Sequence, residues 1–84
     1  TGLETQAQAD AIEEYKALMA EDSRIVDLRA NVRRAAESQL ENGVIDATAL
    51  LTKITDENQA RLNAAYHEIQ MIQSIYKLKY VLNR

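Results

Sequence analysis

The chain contains no cysteine, proline, tryptophan or phenylalanine, and only two glycines among its 84 residues. The absence of cysteine excludes disulfides and thiolate metal ligands, and a single histidine argues against a zinc site of the usual His-rich kind. A net charge of −3 argues against a nucleic-acid partner. No apolar run approaches the ~20 residues that span a bilayer, so we expect no direct membrane insertion by this segment.

The residue combinations that support enzyme chemistry are missing as well. There is no nucleophile–base pairing, no glycine-rich phosphate loop and no pair of carboxylates that would flank a pocket. We therefore expect neither an enzyme nor a cofactor or metal site. The hydrophobic residues, 46% of the chain, are largely alanine and aliphatic residues, a composition that favours thin, closely packed helices. Because the sequence starts with Thr1-Gly2 and has no initial methionine, we expect it to be a segment excised from a longer protein.

Gly43 is the only glycine in the interior of the chain, and it lies near the midpoint. On each side stand roughly 38 residues of uninterrupted helix-favouring sequence, which is long for a globular helix. A glycine tolerates the left-handed backbone that ends a helix, and Asp46 is suited to cap the next one. We predict an all-α fold: one long antiparallel, coiled-coil-like two-helix hairpin over residues 1–84. Its first arm covers about residues 3–42, its tip 42–46 and its second arm about 47–83.

Each arm carries more than one row of apolar residues. In the first arm two rows recur at seven-residue spacing, and they are Leu18, Ile25, Val32 and Ile12, Met19, Val26. In the second arm one stripe holds Leu62, Ala65, Ile69, Ile72, Tyr76, and another row holds Ala64, Met71, Leu78. One partner arm covers one stripe. The hairpin therefore has apolar surface left over, which predicts self-association and neighbours on both sides, as in a ring or sheet of helices.

The charged residues lie mostly away from these rows. Arg33 with Glu37, and Glu57 with Arg61, have the i,i+4 spacing of helix-surface ion pairs. We expect His67 to be an ordinary surface histidine, because no partner ligands are spaced around it.

The order of several short motifs resembles the TolC-like outer-membrane efflux proteins, specifically the second helical hairpin of their periplasmic tube. The family pattern is a long helix, Tyr-x-x-Gly, a short turn, and a Leu-rich helix that carries Asn/Gln-Ala-Arg and a Tyr-rich end. The matching stretches here are Leu40-x-x-Gly43, residues 44–48, Leu50-Leu51, residues 57–63 (ENQARLN) and residues 67–70 (HEIQ). The resemblance spans essentially residues 4–83.

This resemblance implies one hairpin of a trimeric α-helical barrel, in the periplasmic part of a bacterial outer-membrane protein. It implies that the tip docks a periplasmic adaptor (membrane-fusion) protein and, through it, an inner-membrane pump. By position, the docking residues are Leu40, Asn42, Gly43, Val44, Ile45 and Asp46.

The sequence departs from the family pattern at four positions near the tip. Leu40 stands in place of the usual tyrosine, and Ile45 in place of a common basic residue. The positions of two pore-narrowing acidic residues hold Ala49 and Thr52. The resemblance therefore implies docking at the tip, but no ring of gating carboxylates.

Three other protein classes share the helical pattern. The hairpin of an adaptor protein is one, although its usual Arg-Leu-Ser-type tip is missing here. A small secreted hairpin protein of the Trp-x-Gly type is another, and the absence of tryptophan counts against it. The third is a generic coiled-coil interaction module, which helix periodicity alone permits.

Overall fold

The computed structural model describes residues 2–82, which form two helices, α1 (Gly2–Glu41) and α2 (Ala47–Leu82). The helices run antiparallel and pack against each other in a body of 63 × 15 × 13 Å. This confirms the predicted two-helix hairpin, with arm boundaries within one residue of those expected. Residue 83, at the expected end of the second arm, lies outside the described residues.

The reversal at residues 42–46 is built from two helix caps. Gly43 has a φ of 72°, and its N–H donates to the Leu40 carbonyl at 3.0 Å. The Val44 N–H donates to the Gln39 carbonyl at 2.8 Å. This pair of bonds is the Schellman motif, in which a left-handed residue just past a helix satisfies its last carbonyls. The predicted role of Gly43 is confirmed.

The second cap starts α2. The Asp46 carboxylate accepts a hydrogen bond from the Ala49 N–H at 2.9 Å, and this N–H lacks a partner within the first turn of the helix. Asp46 is therefore the N-cap that the sequence predicts. The backbone of the turn is therefore held by one cap on each side.

The seam between the helices contains small and polar side chains. Among the described residues, the buried apolar ones are Ala30 and Ala36, and the buried polar ones are Asp22, Glu57 and Ser74. Alanine lets the helix axes approach closely, since its side chain ends at Cβ. Half-buried residues such as Met19 and Met71 flank this line and belong to one apolar row of each helix.

The other apolar row of each helix is mostly exposed, although Ile25 is half-buried. We call the residues Leu18, Ile25, Leu28 and Val32 the α1 stripe, and the residues Leu62, Ala65, Ile69, Ile72 and Tyr76 the α2 stripe. Within the α1 stripe, Leu28 is 55% exposed and Val32 42%. Leu62 and Tyr76 of the α2 stripe are 66% and 67% exposed. The hairpin thus leaves one row on each helix uncovered.

The two stripes lie on opposite faces of the hairpin. Ile25, Leu28 and Val32 line one groove between the helices, beside Asp56 of α2. Ala65 lines a second groove, beside Met19 of α1. Successive residues are about 100° apart around the axis of α1. Ile25 and Met19 therefore lie about 60° from the buried Asp22, one on each side of it, and the two grooves are on opposite sides of the seam. No single flat face of the molecule holds both stripes.

Replacing Gly43 with alanine should lower the free energy of unfolding by about 1–2 kcal/mol, because a Cβ disfavours left-handed backbone. No atom outside the glycine and its two chain neighbours lies within 4 Å of the Cβ position, so a steric clash with the rest of the molecule does not contribute. Urea unfolding followed by circular dichroism measures the change. Gly2→Ala, in ordinary helical backbone at the start of α1, is the matched control and should not destabilise. Equal stability of Gly43→Ala and wild type would contradict the cap assignment.

Candidate functional site

The structure brings all six sequence-predicted docking residues together at one end of the rod. Asn42, Gly43, Val44 and Asp46 are exposed, whereas Leu40 and Ile45 are half-buried. Val44 is 69% exposed, which makes it the main apolar group that the tip presents to solvent. The predicted set therefore divides into residues that form the turn and one residue, Val44, that projects from it.

The space around the glycine of the tip is open. No atom other than its chain neighbours lies within 4 Å of the Cβ position at Gly43, so the glycine backbone is open to approach. A partner can contact this backbone and Val44 at once without displacing any side chain.

A four-residue ionic network crosses the seam in the half of the rod nearer the tip. The Arg33 guanidinium donates to Glu57 at 2.5 Å and to Glu37 at 2.7 Å. Arg61 donates to the other oxygen of Glu57 at 2.8 Å. The two i,i+4 pairs were predicted from spacing and are confirmed, but the link from Arg33 to Glu57, which joins the helices, was not predicted.

The Glu57 carboxylate is the buried centre of this network, with a side chain only 7% exposed. Hydrogen bonds from Arg33 and then Arg61 hold the pKa of Glu57 below its ordinary value, and they outweigh the opposing effect of burial. The same contacts, with Glu57 first and Glu37 second, raise the pKa of Arg33. Both oxygens of the buried charge therefore have cationic donors.

A second polar contact lies further from the tip. His67 Nδ1 and Asp22 Oδ2 are 2.5 Å apart, and the side chains are 19% and 7% exposed. The nitrogen donates, because a carboxylate only accepts. The expectation of an ordinary surface histidine is therefore wrong. That expectation considered only residues spaced around His67 along α2, whereas its partner, Asp22, lies on α1.

The sequence did contain a signal for these buried polar residues. Glu57 stands seven residues before Ala64, so it continues the row of Ala64, Met71 and Leu78 that packs against α1. His67 lies between Ala60 and Ser74 at the same spacing. Extending the apolar rows through their polar members would have placed both residues in the seam.

Neither described helix combines the length and apolar character that a membrane crossing requires. Within residues 2–82, no three His, Asp or Glu side chains are grouped so that they could hold a metal ion. No protein-family model, curated protein or solved structure matches this chain.

Replacing His67 with leucine should lower the free energy of unfolding by about 1–3 kcal/mol, because Asp22 would stay buried without its partner. Replacing both residues with leucine should restore most of the loss, since no polar group is then stranded. Urea unfolding of wild type, both single variants and the double variant at pH 7 measures this coupling. Single losses that simply add in the double variant would show that the two side chains do not interact.

Glu57→Gln should reduce stability in a pH-dependent way. Because the folded-state pKa of Glu57 lies below the ordinary value of 4.5, its charge stabilises the fold above that pH. The stabilisation is lost as the pH falls through the folded-state pKa. Urea midpoints of wild type and variant should therefore differ at pH 7 and converge in acid. Glu14→Gln, at an exposed position of α1, is the control, and a constant gap for Glu57→Gln would contradict the network.

Proposed function

We propose that the chain is a structural segment of a TolC-like outer-membrane efflux channel, a hairpin of its periplasmic tunnel whose tip docks an adaptor (membrane-fusion) protein. In the full-length protein three copies form the tube, and the adaptor connects it to an inner-membrane pump. The segment itself acts passively. The energy for export comes from the pump.

The observation that carries this proposal is the tip. A rod of 63 Å ends in a turn whose backbone is held by its own caps and whose most exposed apolar group is Val44. An apolar side chain beside an open glycine backbone is a contact surface without a partner inside the hairpin. The ordered motifs from residue 40 to residue 70 connect this surface to the docking tip of the TolC-like family.

The uncovered stripes support the same proposal. A tunnel wall made of hairpins requires each hairpin to have a neighbour on either side. The α1 and α2 stripes supply one apolar row on each of the two opposite faces. In an adaptor hairpin the tip would instead meet a channel protein, so the identity of the docked partner distinguishes the two functions.

Tip variants should impair export while leaving assembly intact. Val44→Asp places a charge on the docking contact, and Gly43→Trp adds bulk into space that is open in the hairpin. In the full-length protein we expect both variants to form trimers but to export less solute and retain less adaptor in a pull-down. Leu3→Asp, at an 85% exposed position in the first turns of α1, is the matched control. Normal export by both tip variants would refute docking through residues 40–46.

Ile69→Asp should give the opposite pattern. Ile69 is 55% exposed in the hairpin, so the new carboxylate stays in water and the helices persist. In the assembled tube the same carboxylate would be buried without a partner, which costs several kcal/mol. Trimer formation should therefore fail although the circular dichroism of the hairpin is unchanged. An Ile69→Asp protein that assembles and exports normally would show that the α2 stripe is not part of the tube.

A further inference from the structure

We infer that the α1 stripe of one hairpin packs against the α2 stripe of a second copy, with the two tips level. This inference rests on the two stripes and not on the proposed channel function. More than half of the large apolar side chains that the described chain exposes belong to these stripes. The occupant of each stripe is therefore the other stripe, on another copy of this chain.

The heights of the residues along the rod make the stripes complementary. The contacts from Asp22 to His67 and from Arg33 to Glu57 show which residues of α1 and α2 lie level within one hairpin. Counting residues along the two antiparallel helices from these contacts places Leu18 about level with Ile72. In the same way, Ile25 is about level with Ala65 and Leu28 with Leu62. When two hairpins lie side by side with level tips, these same pairs meet across the new contact. The small Ala65 faces Ile25, which allows the rows to interdigitate.

The charges at the end of the stripes furthest from the tip are complementary as well. Glu14, four residues before Leu18, continues the α1 stripe on the same side of the helix and is exposed. It lies about level with Tyr76 of the α2 stripe. The Lys79 ammonium is 5.7 Å from the centre of the Tyr76 ring, so a positive charge borders that end of the α2 stripe. Packing α1 on α2 therefore brings an acidic group towards a basic one.

A two-fold symmetric contact is the competing arrangement, and it leaves apolar surface exposed. Such a contact pairs a stripe with its own copy, so the other stripe, on the opposite face, stays in water. Packing α1 on α2 covers both stripes with a single kind of contact. Specific interfaces bury about 800 Å² per partner. The described chain has 6114 Å² of surface, so two such contacts, one on each face, are compatible with its size.

The experiment uses the absence of cysteine from the chain, since each variant then carries one thiol. Leu28→Cys and Leu62→Cys chains, one of them with a size tag, are mixed at tens of micromolar and treated with a short bis-maleimide. Leu28 and Leu62 are 55% and 66% exposed, so neither substitution removes a core contact of the hairpin. We expect several-fold more cross-linked heterodimer than homodimer of either variant. Asn63→Cys mixed with Leu28→Cys is the matched control, because the exposed Asn63 is adjacent in sequence but lies about 100° further around α2, in the groove that Ile25 of the α1 stripe lines.

Two results would overturn the inference. The first is cross-linking of Leu28→Cys to itself, or to Asn63→Cys, as efficiently as to Leu62→Cys, which would indicate packing through the α1 face alone. The second is the molecular mass of a monomer for the unmodified chain, measured by sedimentation equilibrium at tens of micromolar. Species larger than a dimer support the inference, because this contact leaves one stripe free at each end and repeats until a ring closes. Neither result depends on adaptor docking, so the inference and the proposed function can fail separately.

Discussion

The constraint on which the structure depends is that two helices packed side by side can each bury only one narrow face. In this hairpin the buried face is the seam of Asp22, Ala30, Ala36, Glu57 and Ser74. The seam contains few large apolar groups, so it stabilises the hairpin less by hydrophobic burial than an aliphatic seam would. The larger apolar residues of the two stripes lie outside it. The stability of the isolated hairpin and the association that we propose therefore depend on the same distribution of side chains.

The buried polar contacts have a second physical consequence, which is to fix the alignment of the helices. A purely apolar seam tolerates a shift of one helix along the other, because many shifts give similar burial. Here a shift of one turn would separate Glu57 from Arg33 and His67 from Asp22, and it would leave two buried carboxylates without their partners on the other helix. Asp22 would lose His67 and Glu57 would keep only Arg61 of its own helix, and an incompletely paired buried charge is strongly disfavoured. The polar contacts therefore set which residues of the two stripes lie at the same height, and so determine how one hairpin can match another.

The fold could be predicted from local signals in the sequence, whereas the polar contacts between the helices could not. Gly43 and Asp46 end and begin helices through bonds to residues within five positions, so the sequence alone located the reversal. The partners of His67 and Glu57 come from the other helix, and their identity depends on how the helices are aligned. Local spacing gave the pairs within one helix, Arg33 with Glu37 and Glu57 with Arg61, but it could not give the link between them. The sequence could predict that the row of Leu18, Ile25 and Val32 is surplus apolar surface. Each arm has two apolar rows and its partner arm covers only one, so the conclusion does not depend on how the helices are aligned.

The tip and the arms are thus separable in physical terms. The caps at Gly43 and Asp46 are complete without any contact from the arms beyond the last turn of α1 and the first turn of α2, so the shape of the turn does not depend on association. The seam alignment, by contrast, determines the relative heights of the stripes and hence whether neighbouring tips end at the same level. A docking partner that contacts several tips at once gains effective concentration only if those tips are level. In the proposed assembly, the buried contacts at Asp22 and Glu57 would therefore act on the tips through the alignment of the hairpins, while Val44 and the glycine backbone would provide the docking contact itself.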